Sequence, residues 1–153
     1  MSIKLILVAT DASAASNRAL EMAVQIAGQY DAELLIVHVI RDMQLPFEIK
    51  EIPELEFNKI ESFNDAREDI MRKIAETILR TAKENAQKAG ADKVQTAIGT
   101  GDPATGILDF ARRREVDMIV VGTRGLGKLK GAILGSVSRK VVDNAQTTCL
   151  IVR

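Results

Sequence analysis

The sequence predicts an α/β fold, a three-layer α/β/α arrangement in which five parallel strands form one open sheet. Short apolar runs with little polar alternation predict strands that are buried on both faces. Segments with helical periodicity separate these runs along the whole chain. The length of 153 residues suits a single domain over residues 1–153.

Five strands are predicted, with four helices between them. The strands occupy residues 3–9, 33–39, 93–98, 117–121 and 147–152. The helices occupy residues 14–29, 65–89, 103–114 and 136–144. The first two strands are nearly continuous apolar runs, as buried strands are, whereas the third alternates in part and is expected at a sheet edge.

Start and stop signals mark the helices. The first follows the polar turn 10–13 and is expected to end near Gly28, and Gly90 ends the second. Asp102 and Pro103 supply an N-cap and a first-turn proline for the third. The apolar stripe of the second helix comprises Ile70, Met71, Ile74, Ile78, Leu79 and Ala82.

Residues 41–64 form a long connecting segment within the predicted domain. It contains three of the five aromatic residues and two of the three prolines, together with several isoleucines and glutamates. A loop of this length without regular structure is uncommon and is usually functional or mobile. Its apolar residues indicate packing on the domain itself, on a partner subunit, or on a ligand as a lid.

Composition argues against several classes of function. The chain has 21 basic and 21 acidic residues, so it lacks the basic excess of a nucleic-acid-binding protein. No apolar run approaches the ~20 residues of a membrane span, and no signal peptide precedes the first strand, so we expect a cytoplasmic protein without a membrane partner. Cys149 and His38 are the only cysteine and histidine, which argues against disulfides, histidine metal clusters and Ser-His-Asp triads.

Five glycines lie between residues 122 and 135, after an apolar strand and before a helix. Glycines let the backbone approach a ligand closely. The N–H groups of such a loop and of the helix start can then face an anion. The stretch therefore predicts a phosphate-binding loop, with a mobile surface loop as the alternative.

Two familiar nucleotide motifs match this chain only in part. The glycine stretch opens like a P-loop, but Leu129 stands where a hydroxyl should contact magnesium. Residues 99–104 fit the pattern Gly-x-Gly-x-x-Ala of dinucleotide-binding proteins, but this unit is third in the chain rather than first. Asp102 and Pro103 explain that second pattern as an ordinary helix start.

The predicted site lies where the order of strands reverses. We expect the order 3-2-1-4-5, a Rossmann-like winding in which strands one and four are neighbours. Ligands of such sheets bind at the carboxyl ends of the strands at this point. The sequence therefore predicts that Asp11 lies beside Gly122 and Gly125.

The pattern Gly-x2-Gly-x9-Gly-Ser at residues 122–136, with a first strand that ends in Asp11, resembles the universal stress protein family. The resemblance covers the whole chain, including Val-His-Val-Ile at 37–40, Gly-Asp-Pro at 101–103 and the closing Leu-Ile-Val-Arg. In that family the glycine pattern marks the branch that binds ATP.

The resemblance implies roles for individual residues. Gly125, Gly135 and Ser136 match positions that hold phosphates, and Gly122 matches one that passes under the ribose. Asp11 matches the acidic residue at the ribose and metal-phosphate end, so Mg²⁺ is expected with the nucleotide, and the backbone at Val39 would contact adenine. The expected nucleotide-binding residues are Ala9, Thr10, Asp11, Val39, Gly122, Arg124, Gly125, Gly135, Ser136 and Val137.

From the residues alone, these roles have alternatives. A carboxylate can bind sugar hydroxyls or Mg²⁺, and a helix start favours negative charge. Asp11 and Ser136 can equally serve as the caps of helices one and four.

An ATP-binding stress-response or regulatory protein is the expected function, because no catalytic base of clear role accompanies the glycine pattern. A slow ATPase and an interaction module with a vestigial nucleotide site are the alternatives. A homodimer through residues 147–152 is also expected, because an apolar edge strand invites pairing with its own copy. The family resemblance implies the same two-fold contact.

Overall fold

The computed structural model describes residues 2–42, 57–123 and 134–153. The predicted strands and helices occur there in the predicted order, with limits close to the predicted ones except at the start of the second helix. The elements are β1 (Leu5–Ala9), α1 (Ala14–Tyr30), β2 (Glu33–Ile40), α2 (Phe57–Lys88), β3 (Val94–Thr100), α3 (Pro103–Arg113), β4 (Met118–Gly122), α4 (Ser136–Asn144) and β5 (Thr148–Val152).

The five strands form one sheet in the order β3-β2-β1-β4-β5, as predicted. Every pairing is parallel, and β1 is central, with Val8 opposite both Ile36 and Val120. Helices α1 and α2 pack on one face, and α3 and α4 pack on the other. The three-layer α/β/α architecture is therefore confirmed.

The pleat of the strands divides the core into two halves. Successive side chains of a strand point to opposite faces. Ile6 and Val8 therefore pack under α1 and α2, whereas Leu7 packs under α3 and α4, and all three are completely buried. Burial on both faces explains why the central strands read as continuous apolar runs. The edge strand β3 is more exposed, as its partial alternation predicts.

Helix α2 differs from the prediction in where it begins and which face it buries. It starts at Phe57, so residues 57–64 of the predicted connecting segment are helical, while residues 43–56 lie outside the described residues. Its 32 residues span about 48 Å, far more than the eight residues of β2. Ile70 and Ile74 of the predicted stripe are exposed, and Ile74 directly precedes the completely buried Ala75, so its side chain faces away from the core. Among the side chains of the helix that the structure describes, the buried ones are Ala75, Leu79, Ala82 and Ala86.

The ends of α1 and α3 show how local sequence sets a helix boundary. Gly28 lies inside α1 rather than at its end, and Asp31 takes the left-handed C-cap position with φ 55°. Asp102 caps α3 as predicted, accepting the Thr105 N–H at 2.9 Å, and Pro103 follows in the first turn. In the three described ranges, no helix has the length and apolar character needed to cross a bilayer.

Candidate functional site

Two segments of the chain leave the sheet side by side at its carboxyl edge. Because β1 lies between β2 and β4, the turn after Ala9 and the loop after Gly122 both start at this point. This pairing brings the segment that contains Asp11 and the segment that begins at Gly122 to the same edge of the sheet. The predicted site residues Arg124 and Gly125 belong to residues 124–133, which lie outside the described residues.

The turn between β1 and α1 is held by its own side chains. Asp11 Oδ1 accepts the Ser13 N–H at 2.9 Å, and Thr10 Oγ1 accepts the Ala12 N–H at 3.2 Å. Ser13, and not Asp11, is the N-cap of α1, because its hydroxyl oxygen accepts the Ser16 N–H. The Asp11 carboxylate is therefore anchored beside the helix start without serving as the cap.

The carboxyl end of β2 extends past the end of β1. In the register of the two strands Ala9 lies opposite Val37, and the Thr10 N–H donates to the Val37 carbonyl oxygen at 2.9 Å. The backbone groups of a parallel strand alternate in direction. The N–H and C=O of Val39 therefore point to the same side as those of Val37, into the space beyond β1.

His38 contacts the backbone where the β1–β2 ladder stops. The next acceptor along the ladder, for the Val39 N–H, would be the Thr10 carbonyl oxygen. That oxygen instead lies 2.8 Å from His38 Nδ1. A carbonyl oxygen can only accept, so Nδ1 carries the proton. His38 thus engages the carbonyl oxygen that the Val39 N–H would reach if the ladder continued.

Among the described residues, no side chain caps helix α4, which begins at this edge with an open N-terminus. Its N-cap is Gly135 in extended conformation, without a side-chain hydrogen bond, so Ser136 is the first helical residue and not the cap. The first N–H groups of a helix have no intrahelical acceptor, and the helix dipole adds partial positive charge to them. The backbone at Ser136 and Val137 is therefore suited to bind an anion from outside the chain.

Thr123 and Ser138 hold the two ends of the glycine loop together. The Thr123 carbonyl oxygen accepts the Gly135 N–H at 2.6 Å. Ser138 Oγ lies 3.0 Å from the carbonyl oxygens of both Thr123 and Gly135 and can donate its one proton to either. The Gly135 N–H, expected to bind phosphate, is thus engaged within the protein. Sequence analysis missed Thr123 and Ser138, because contacts from hydroxyl to carbonyl groups leave no spacing pattern.

Gly122 has a packing role in addition to its predicted place at the site. A Cβ at this position would lie 2.7 Å from the Ala15 carbonyl carbon and 2.9 Å from Ala15 Cβ. A larger residue would push the first turn of α1 away from β4. Gly122 therefore keeps the start of α1, and with it the Asp11 turn, close to the loop that follows β4.

The described part of the chain contains no group of three or more His, Cys, Asp or Glu side chains arranged to hold a metal ion. Magnesium commonly keeps several water ligands and is held by one or two carboxylates together with substrate phosphates. Asp11 can supply one such carboxylate. The residues present therefore fit a magnesium ion that is bound to the phosphates of a nucleotide. Asp11 would supply one ligand to that ion and help to orient it.

A doubly wound parallel sheet with an open helix N-terminus at its switch point defines a ligand-binding class of α/β protein. The sequence profile of the universal stress protein family matches residues 2–153. The chain belongs to the universal stress protein family, as the resemblance in its sequence predicts.

Relatives in sequence and in structure agree with this assignment. The chain is 38% identical over 151 residues to universal stress protein YxiE of Bacillus subtilis, covering 96% of this chain and 97% of the relative. Universal stress protein UspA from Lactobacillus plantarum superposes with a TM-score of 0.84 at 26% identity, covering 100% and 99% of the two chains. A universal stress protein in complex with cAMP has a TM-score of 0.71 at 27% identity, covering 100% and 98%. The last comparison places an adenine nucleotide in a relative of the same fold.

Proposed function

We propose that this protein binds ATP at the carboxyl ends of β1 and β4 and acts as a nucleotide-responsive regulatory protein in a stress response. The observation that carries the proposal is the open N-terminus of α4 at the edge where the Asp11 turn also lies. The relative in complex with cAMP supports an adenine nucleotide as the ligand.

The phosphate end of the proposed site lies on α4. The backbone N–H groups of Ser136 and Val137 and the Ser136 hydroxyl donate to phosphate oxygens, and the helix dipole favours their charge. Arg124 and Gly125 of the glycine pattern complete the phosphate contacts in this proposal. Asp11 accepts from the ribose hydroxyls or supplies one ligand to a magnesium ion on the phosphates.

The adenine end of the proposed site lies on β2. The Val39 N–H donates to adenine N1, and the Val39 carbonyl oxygen accepts from the exocyclic amine. Ala9 and Thr10 line the same end. His38 supports this arrangement, because its hydrogen bond to the Thr10 carbonyl oxygen keeps that oxygen from the Val39 N–H.

A calorimetric titration of ATP with Mg²⁺ into nucleotide-stripped protein tests the proposal. We expect saturable binding with one ATP per chain. AMP and cAMP should bind more weakly, because each carries fewer phosphate charges to the α4 terminus. The proposal would be overturned if none of these nucleotides gave saturable heat while the circular dichroism of the folded protein was intact.

A base analogue tests the adenine end separately. In inosine triphosphate N1 is a donor and the exocyclic group an acceptor, so both contacts to the Val39 backbone are lost. We expect inosine triphosphate to bind about 30-fold more weakly than ATP, since two buried hydrogen-bonding groups are left without partners. Equal affinity for the two nucleotides would show that Val39 does not recognise the base.

Turnover is the measurement that separates a sensor from a slow ATPase. The proposal is for binding without rapid hydrolysis, which requires a positioned water and charge stabilisation beyond what Asp11 alone provides. Phosphate release is measured on the same preparation and on Asp11→Asn. Hydrolysis that exceeds the background and disappears in the variant would favour the enzyme.

We also propose a homodimer in which β5 pairs with β5 of a second copy. The strand lies at a sheet edge, and Cys149, Leu150 and Ile151 are only half-buried in the single chain. Ile151→Lys should reduce the mass measured by light scattering, because a two-fold contact brings the two lysines together. Ile70→Lys is the control, because Ile70 is an exposed residue of α2, a helix that packs on β2 and β3 and not on β5. A monomer mass for the unmodified protein would refute the dimer.

A further inference from the structure

Among the described strands, none pairs with the outer side of β3, which forms one edge of the sheet. The Leu34 N–H donates to the Lys93 carbonyl oxygen, and the Gly101 N–H donates to the Ile40 carbonyl oxygen, at 2.8 and 2.9 Å. Because a parallel ladder alternates, odd-numbered β3 residues bond to β2 and even-numbered ones direct their N–H and C=O outward. The strand itself, residues 94–100, contains no proline and no charged residue, two devices that commonly block an edge.

A cleft of about 400 Å³ opens over the carboxyl half of this edge. Its floor is residues 98–100 of β3, which include the outward backbone groups of Ile98 and Thr100. Arg72 of α2 contributes to the lining from one helical layer, and Phe110 and Arg113 of α3 contribute from the other. The cleft therefore spans the edge between two helices, where an additional strand would lie.

The carboxylates that line the cleft are already neutralised. Asp102 pairs with Lys140 at 2.9 Å, and Asp109 pairs with Arg112 at 2.6 Å. Neither of these two cations belongs to the cleft lining. The acidic residues of the cleft thus have partners outside it.

Two arginines also line the cleft. In the described ranges, neither Arg72 nor Arg113 forms an ion pair with a carboxylate. The Arg113 guanidinium lies 5.4 Å from the centre of the Phe110 ring, which holds it in a cation–π contact. The cleft therefore presents two cations and an aromatic ring beside exposed strand groups.

We infer that the β3 edge and this cleft bind an extended acidic peptide segment of a partner protein. The segment adds a strand to β3 through the outward groups of Ile98 and Thr100, and its carboxylates contact Arg72 and Arg113. Main-chain bonds provide affinity in this mode, and side-chain pockets provide specificity. A second copy of this chain fits less well, because β3-to-β3 pairing would bring like charges together.

Fluorescence anisotropy with a labelled octapeptide of alternating glutamate and valine tests the inference. We expect saturable binding that weakens with salt. The same peptide with alternate backbone nitrogens methylated should bind about 10-fold more weakly, because it cannot donate to the strand edge. A lysine–valine octapeptide should not bind.

Charge-reversal variants locate the binding surface. Arg72→Glu and Arg113→Glu should each lower the affinity for the acidic octapeptide about 10-fold and leave the affinity for ATP unchanged. Lys73→Glu and Arg80→Glu, exposed cations of α2 outside the cleft lining, are the matched controls. Absence of binding, insensitivity to N-methylation, or equal losses in the control variants would overturn the inference.

Discussion

Helices α3 and α4 pack on the same face and begin at the same edge of the sheet, but their first turns are built differently. At α3, Asp102 accepts the Thr105 N–H at 2.9 Å and pairs with Lys140, also at 2.9 Å. At α4, Gly135 offers no side chain at all. Helix α3 thus has a carboxylate at its own start, whereas no described side chain caps the first N–H groups of α4. A helix start becomes a candidate site when the chain withholds the cap.

The largest expected effect comes from giving α4 the cap that α3 has. Gly135 has φ −69° and ψ 164°, which aspartate adopts without strain. In Gly135→Asp a carboxylate would occupy the N–H groups and repel phosphate, so the affinity for ATP measured by calorimetry should fall about 100-fold, or about 2.7 kcal/mol. The free energy of unfolding should change by only a few tenths of a kcal/mol.

Gly135→Ala is the control for this substitution, because it adds a Cβ without a charge. It should destabilise α4 by about 1 kcal/mol while the affinity for ATP changes only a few-fold. If Gly135→Asp bound ATP as tightly as the unmodified protein, the phosphates would not lie at α4.

The next largest effect concerns the anchor that holds the open turn of α4 in place. Ser138 is only 3% exposed, and its hydroxyl lies at hydrogen-bond distance from two carbonyl oxygens. Ser138→Ala should lower the free energy of unfolding in urea by about 1–2 kcal/mol. It should also lower the affinity for ATP about 5-fold. Ser136→Ala, which removes the hydroxyl of an exposed residue, should lower the affinity for ATP without lowering the free energy of unfolding. An unchanged unfolding midpoint for Ser138→Ala would show that the loop ends are not held this way.

The Asp102 carboxylate that caps α3 should make the free energy of unfolding depend on pH. The hydrogen bond from Lys140, followed by that from the Thr105 N–H, lowers the pKa of Asp102 from 3.8 to about 2. Because the folded pKa lies below the unfolded one, the stabilisation is present above about pH 4 and is lost as the pH falls towards 2. The carboxylate is 52% exposed, so its charge should contribute only about 1 kcal/mol at neutral pH.

Asp102→Asn isolates that charge, because asparagine still accepts the Thr105 N–H. Urea unfolding of both proteins across this pH range should show a difference of about 1 kcal/mol at neutral pH that shrinks as the pH falls from about 4 to about 2. A difference that stays constant over that range would mean that the lost stability comes from the cap geometry and not from the charge.

The smallest effect concerns Lys140, the residue of α4 that neutralises the start of α3. Its ion pair with Asp102 is half-exposed, so Lys140→Gln should cost about 0.5 kcal/mol at low salt and almost nothing at high salt. Arg139→Gln, the exposed neighbour on α4, is the control. A loss that high salt does not reduce would contradict an electrostatic role for this lysine.

Much of the fold could be predicted because the information is local and repeated. The apolar runs of β1 and β2 follow from burial on both faces, and the strand order follows from short right-handed crossovers. The cap at Asp102 could be predicted because an N-cap and a following proline are adjacent in sequence. The buried face of α2 could not be predicted, because it depends on how the helix is rotated against the sheet, which tertiary packing sets.

The sequence by itself determined the α/β alternation, the membership of the family and the glycine pattern that marks the site, since each depends on residue type and spacing along the chain. Only the tertiary structure decided how the site is arranged. In the folded chain the Thr10 carbonyl oxygen contacts His38, the Gly135 N–H donates to Thr123, and the buried Ser138 contacts both loop ends. These contacts join residues far apart in sequence through single hydrogen bonds, whose partners are chosen by the packing of β1, β2 and α4 and not by any local pattern.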